Sequence, residues 1–239
     1  MKTFHVSVIK SLAFFVLLVA NSMLFAQHCK NYYYMTNNAE VQITLFNDKG
    51  EKSGTQNWKI SNVSKDGNGF RSNVNSSFLD GKGQEITKSS GVYKCNDGKL
   101  MADMRMSMPQ DQMRQTTRAE AKVDDSYIEY PSALSEGMAL PDALFNMEIN
   151  TSGIPSTAKF EMKNRKVAAK EKITSDAGSW DAYKITYDAE MRIKMAGIGI
   201  PMVMKTIEWF VPNFGVVKSE TYNKKGKLKG SSLLTMFKK

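Results

Sequence analysis

The chain has 239 residues, with 33 lysines and arginines against 24 acids for a formal charge of +9, and 41% of its residues are hydrophobic. That is ample apolar material for one large core or two small ones, and it excludes a disordered chain. The only histidines are His5 and His28, so a body folded beyond them has no Ser–His, Cys–His or His–metal arrangement to offer.

Lys2 and Lys10 flank a start that runs into the apolar stretch Leu12 to Ala20 and then to small Ala26. This predicts a secretory signal peptide over 1–26, because the apolar run falls short of the roughly 20 residues that cross a bilayer. Removing it takes away two lysines and no acid, which leaves 213 residues (27–239) at +7, exported to the periplasm or beyond and with no transmembrane segment. Cys29 follows bulky His28, which argues against a lipid-modified cysteine. An exported chain with two cysteines most simply pairs them, Cys29 with Cys95, the alternative being two separate thiols. Closing that loop would contribute roughly 4 kcal/mol.

Beyond Tyr32-Tyr33-Tyr34, Val41, Ile43 and Leu45 alternate with polar neighbours, the pattern of a half-buried strand. Runs at Thr55 to Val63, Gly69 to Leu79, Glu85 to Tyr93 and Lys99 to Met104 repeat it. Arg105 to Ala121 breaks the pattern and predicts a short helix or an irregular crossover. Strands resume at Ser126 to Tyr130 and Leu144 to Ile149, then at Ala158 to Val167, Ala169 to Ile173 and Trp180 to Tyr187. Gly197, Gly199 and Pro201 interrupt the apolar stretch Met191 to Met204, which predicts a loop or a pair of strand ends and not a helix. The last third reads as a meander: Lys205 to Val211, a Pro212-Asn213-Phe214-Gly215 turn, a strand to Tyr222, and a final strand from Leu228 to Phe237. Asn47-Asp48-Lys49-Gly50, Asp80-Gly81-Lys82-Gly83 and Asn223-Lys224-Lys225-Gly226 each separate two such runs, one hairpin solution used repeatedly. The fold expected is mainly all-β, a curved antiparallel sheet or open barrel built from hairpins. If it divides, the lobes are 27–130 and 131–239, with the boundary near Pro131.

No phosphate loop, dinucleotide fingerprint or metal-ligand spacing occurs, so no catalytic residue, cofactor or metal is expected, nor nucleic acid as a partner. Asp142, Glu161, Glu171, Glu208 and Glu220 could in principle hydrolyse a glycosidic bond if two of them faced one cleft. On alternating strands they are most simply outward-facing. The methionine-rich stretch suggests an apolar ligand held by Met195, Ile198, Ile200, Met202, Met204, Trp209 and Phe214, since Met lines surfaces that adapt to apolar partners; ordinary core filling is the competing reading.

Tyr130-Pro131, Gly137 to Ala143, Asn164-Arg165-Lys166-Val167, Ala177-Gly178-Ser179-Trp180, Trp209-Phe210 and Gly215 to Tyr222 together resemble the TapB-like proteins. These are exported proteins of Gram-negative bacteria classed as a domain of unknown function, and the resemblance implies no reaction. The closing strands are also similar, more loosely, to periplasmic lipoprotein carriers, whose curved, incomplete barrel covers a greasy ligand. Two functions are therefore expected to compete. One is a non-enzymatic envelope protein that binds an apolar or lipid-like ligand. The other is a structural or protein-interaction module of the envelope or cell surface with no small-molecule pocket.

Overall fold

The computed structural model describes residues 29–107, 120–123, 126–151, 154–195 and 198–239, so the expected signal peptide lies outside it. The described chain is antiparallel β throughout, with two short 3-10 turns at Tyr33–Met35 and Met104–Ser107. The strands are β1 (Glu40–Asn47), β2 (Lys52–Asp66), β3 (Gly69–Asp80), β4 (Glu85–Asn96), β5 (Lys99–Asp103), β6 (Glu120–Val123) and β7 (Tyr127–Tyr130). They continue with β8 (Ala143–Thr151), β9 (Ile154–Ser175), β10 (Gly178–Met195), β11 (Ile198–Val211), β12 (Gly215–Asn223) and β13 (Leu228–Lys238). All join one sheet in the order β6-β8-β9-β10-β11-β12-β13-β1-β2-β3-β4-β5-β7. The sheet is nearly closed into a barrel with one unsealed seam. Strands from both sides of Pro131 belong to it, and its first strand pairs with its last, Glu40 opposite Lys238.

The repeated turn has the same mechanism each time. Asn47 Oδ1 accepts the N–H groups of Lys49 and Glu51, Asp80 Oδ1 those of Lys82 and Gln84, and Asn223 Oδ1 those of Lys225 and Lys227, at 2.8–3.0 Å. Gly50, Gly83 and Gly226 then take φ between 75° and 81°, which L side chains resist. A short polar acceptor followed three residues later by glycine is therefore enough to write each reversal.

One expectation about strand ends is corrected and another is decided. Ala158 to Ile173 is not two strands, because β9 continues across Ala168 as a bulge opposite the Lys184/Ile185 step of β10. Of the two readings of Met191 to Met204, a pair of strand ends is the one found: Met195 pairs with Ile198 and the strands run on in both directions. Pro201 is tolerated because β12 reaches only as far as Met204. The first six residues of β11 are thus an edge with β10 alone for a neighbour, where a missing N–H costs little.

One end of the barrel is plugged. Tyr32, Tyr33, Tyr34 and Met35 are buried, and a disulfide joins Cys29 to Cys95. Tyr32 donates its hydroxyl to Gly98 O at 3.2 Å, and Tyr33 donates its hydroxyl to Val216 O at 3.0 Å while sharing a 2.6 Å bond with the Tyr34 hydroxyl. Tyr34 stacks on Tyr93 at 4.4 Å, and Tyr33 meets Phe214 edge-on at 5.3 Å.

Gly215 makes this close approach possible. Its φ is +134°, and a Cβ there would lie 2.5 Å from Tyr33 Cε1 and 2.7 Å from Tyr34 Cε2. Gly215→Ala should cost about 2–4 kcal/mol, combining an unfavourable backbone with overpacking. Urea unfolding should show a lower midpoint with an unchanged slope; an unshifted midpoint would mean that the plug is not packed this way.

Candidate functional site

Behind the plug the barrel holds a half-open cavity of ≈ 630 Å³. Its apolar walls come from alternate residues of facing strands, among them Ile43 and Leu45 on β1, Phe160 and Met162 on β9, and Met202 and Met204 on β11. Its polar lining includes Gln56, Thr206, Glu208, Ser219, Thr221 and Ser232. Ser219 and Ser232 pair across β12 and β13 at 2.7 Å. Trp58 also lines the cavity, and its Nε1, though buried, has no hydrogen-bond partner in the protein. A larger concavity of ≈ 770 Å³ lies among the charged residues of β8–β10, but its side chains answer one another, Lys159 and Lys163 binding Glu161 at 3.0 and 3.3 Å. The interior is the better candidate because its polar groups are not all spent on each other.

Glu208 is the centre of that polar lining. Its carboxylate accepts the hydroxyl of Tyr187 at 2.7 Å and that of Tyr130 at 2.8 Å, and all three residues are buried. Tyr130 is held in turn between Phe210, stacked at 4.4 Å, and the guanidinium of Arg165, 5.1 Å from the ring centroid. A bulge aims Arg165 inward: Asn164 and Arg165 together oppose Tyr187, Asn164 takes φ 57°, and its Nδ2 donates to Asp188 at 2.9 Å. Arg165 Nη1 donates to Glu129 O at 3.0 Å and to Pro141 O at 2.7 Å.

The expectation that the carboxylates face outward fails for Glu208. Along β11, Glu208 and Phe210 point inward, while Trp209 takes the opposite face. There Trp209 donates Nε1 to Glu171 at 2.8 Å under the ammonium groups of Lys184 and Lys218. An aromatic residue covered by aliphatic lysine stems is as buried as its inward neighbours, so simple alternation could not have revealed which was which. Of the acids singled out, Glu208 alone lines the cavity.

Among the residues expected to hold a ligand, Met202 and Met204 line the cavity, with Met202 exposed at 40%. Trp209 does not line it. Phe214 packs at the plugged end, between Tyr33 and Phe237 and against Trp180. Met195, Ile198 and Ile200 belong to the β10–β11 hairpin by their backbones, and their side chains lie outside the described part of the structure. Sequence reasoning missed Glu208, Tyr130, Tyr187 and Arg165 as one group. They come from β11, β7, β10 and β9, and no local signal links them.

A family model for DUF3108-like proteins matches residues 36–234. Two solved structures share the fold. A candidate exported protein with a YmcC-like fold from Bacteroides fragilis has a TM-score of 0.69 and 20% identity, over 85% of this chain and 97% of that one. A candidate lipoprotein from Parabacteroides distasonis has a TM-score of 0.70 and 17% identity, over 85% and 96% respectively. No curated protein matches the sequence.

The buried tyrosines make the barrel sensitive to alkali. Desolvation raises the phenol of Tyr32 to about 12. It also drives those of Tyr33, Tyr34, Tyr93, Tyr130 and Tyr187 well above their ordinary value, with the Glu208 charge adding to the effect at Tyr130 and Tyr187. In the unfolded chain all six ionise near pH 10. Above that pH the unfolded state therefore binds fewer protons than the folded one, and stability falls as pH rises. Each tyrosine removes about 1.4 kcal/mol per pH unit. Cooperative unfolding between about pH 10 and 11 should follow, with phenolate absorbance appearing in step with loss of the β signal. Gradual phenolate formation in a protein that stays folded would contradict the burial.

Proposed function

The chain belongs to the DUF3108-like family, and on that premise we propose that it is a non-enzymatic exported protein of the cell envelope that encloses an apolar or lipid-like ligand in its barrel. The observation that carries this reading is the cavity of ≈ 630 Å³, a volume suited to a small organic ligand. Its walls are apolar on one side, and its polar lining is gathered around Glu208.

Export is supported by the signal-peptide pattern at the N-terminus and by the Cys29–Cys95 disulfide, a bond that persists in oxidising compartments. It is also supported by the solved structures of the same fold, one described as exported and one as a lipoprotein. Periplasm, cell surface and medium are all compatible with it. The finer resemblance to TapB-like proteins belongs to this proposal too, since the motifs behind it build the seam at Arg165 and the closing strands β11 and β12.

In this reading the β10–β11 hairpin, backed by β9 along β10, is a rigid extension of the barrel wall. It extends six residues past the end of β12, about 20 Å of strand, and Met202 and Met204 lie where it meets the cavity. Native mass spectrometry of protein purified without detergent should show a co-purifying small molecule that is released on unfolding. Met204→Lys, which would place a charge on the apolar wall, should weaken uptake of a neutral naphthylamine dye about tenfold or more without lowering the melting temperature appreciably. Protein that is repeatedly empty and takes up no dye would refute the proposal.

A further inference from the structure

Resting on that reading, the geometry points to the chemistry of the ligand's head group: we propose that the cavity takes an amphiphile whose head donates hydrogen bonds and carries no negative charge, seated against Glu208, Tyr130 and Tyr187. A carboxylate offers about four lone-pair positions, and the two tyrosine hydroxyls occupy two of them on Glu208. The remainder can accept from an ammonium, hydroxyl or amide head. Each tyrosine has spent its only hydroxyl proton on Glu208; the Tyr130 oxygen therefore presents lone pairs as well, while that of Tyr187 is met by the Thr206 hydroxyl.

The cluster thus accepts hydrogen bonds and offers none. Among the described residues no lysine or arginine forms an ion pair with Glu208. The guanidinium of Arg165 lies over the ring of Tyr130 with Nη1 on Glu129 O and Pro141 O and with Nε and Nη2 unpartnered in the protein, but Arg165 is not among the residues that line the cavity; of the lysines that do, Lys218 is paired with Glu220 at 2.7 Å and Lys229 is exposed. An anionic head placed here would set two carboxylates side by side in a desolvated site, where they cannot both stay ionised without cost. A free fatty acid is therefore the wrong ligand, and an amine- or hydroxyl-headed chain of the same length is the right one.

Three ligands of one chain length test this by displacement of the bound naphthylamine dye near neutral pH, below their micelle concentrations: dodecylamine, dodecanol and dodecanoate. The first two should displace the dye at least about tenfold more tightly than dodecanoate. Glu208→Gln, checked for an unchanged melting curve, should narrow that gap to about threefold or less, chiefly by improving dodecanoate. The wild-type ranking alone already decides the matter if the variant fails to fold. Equal displacement by all three, or a preference for dodecanoate, overturns the head-group inference and leaves the binding proposal standing. Uptake of no dye at all overturns both.

Discussion

A sheet bent this far brings its edge strand β7 to face the stretch 137–143, which leads into β8 at the end that the short edge strand β6 leaves uncovered. One nitrogen of Arg165 donates to a backbone carbonyl on each side. The stretch 137–141 is itself laid along β9 by hydrogen bonds from Gly137 N to Val167 O, Val167 N to Met138 O and Leu140 N to Arg165 O. The strand ladder therefore stops at β7, and a side chain carries the closure across. This is expensive. Arg165 is 2% exposed, and its Nε and Nη2 lack partners in the protein. A buried charge is tolerated only where its remaining bonds and neighbours compensate. Here the compensation is the Tyr130 ring and the two carbonyls that Nη1 reaches. Removing the charge would open the seam and unseat Tyr130, and with it one of the two hydroxyls on Glu208.

The opposite constraint acts at the plugged end, where the N-terminal tyrosines enter the barrel and the disulfide keeps them there. The same aromatic wall serves two purposes. Tyr33 and Tyr34 fill the end of the barrel, and they also form one limit of the cavity. The cavity's depth is thus set by a segment that precedes the first strand and is held by a covalent bond to the β4–β5 region. Loss of that bond would free the plug before it disturbed any strand pairing.

Much of the fold was legible because its determinants are local. Alternation at Val41, Ile43 and Leu45 marked β1, and the Asn or Asp that opens each reversal carries out its own capping within four residues. The Met191 to Met204 stretch stayed open between a loop and a pair of strand ends because glycine and proline usually mark loops; an edge position makes them acceptable in a strand, and edges are a property of the assembled sheet. The candidate site was less legible. Met202 and Met204 could be singled out by residue type, but Glu208 sits beside Trp209 in a run where both faces are buried, one by the barrel and one by lysine stems. Nothing in the sequence brings Tyr130, Arg165, Tyr187 and Glu208 together except the closure of the sheet, which is set by bulges and edge contacts many residues apart.

The composition of the lining argues against an interior left open by accident. Thr206, Glu208, Ser219, Thr221 and Ser232 occupy inward positions where Val, Leu or Ile would bury more surface, at roughly 0.8 kcal/mol for each added methylene. Filling those positions would also remove the need to satisfy Glu208 with two tyrosines. Small hydroxyl side chains on β12 and β13 instead preserve volume, and they face methionines on β11 that can adjust their shape to whatever enters. Stability alone would favour a filled barrel, with Glu208 replaced and Trp58 given a partner. A cavity kept at that cost, with one wall apolar and one end lined by acceptors, matches the two halves of an amphiphile.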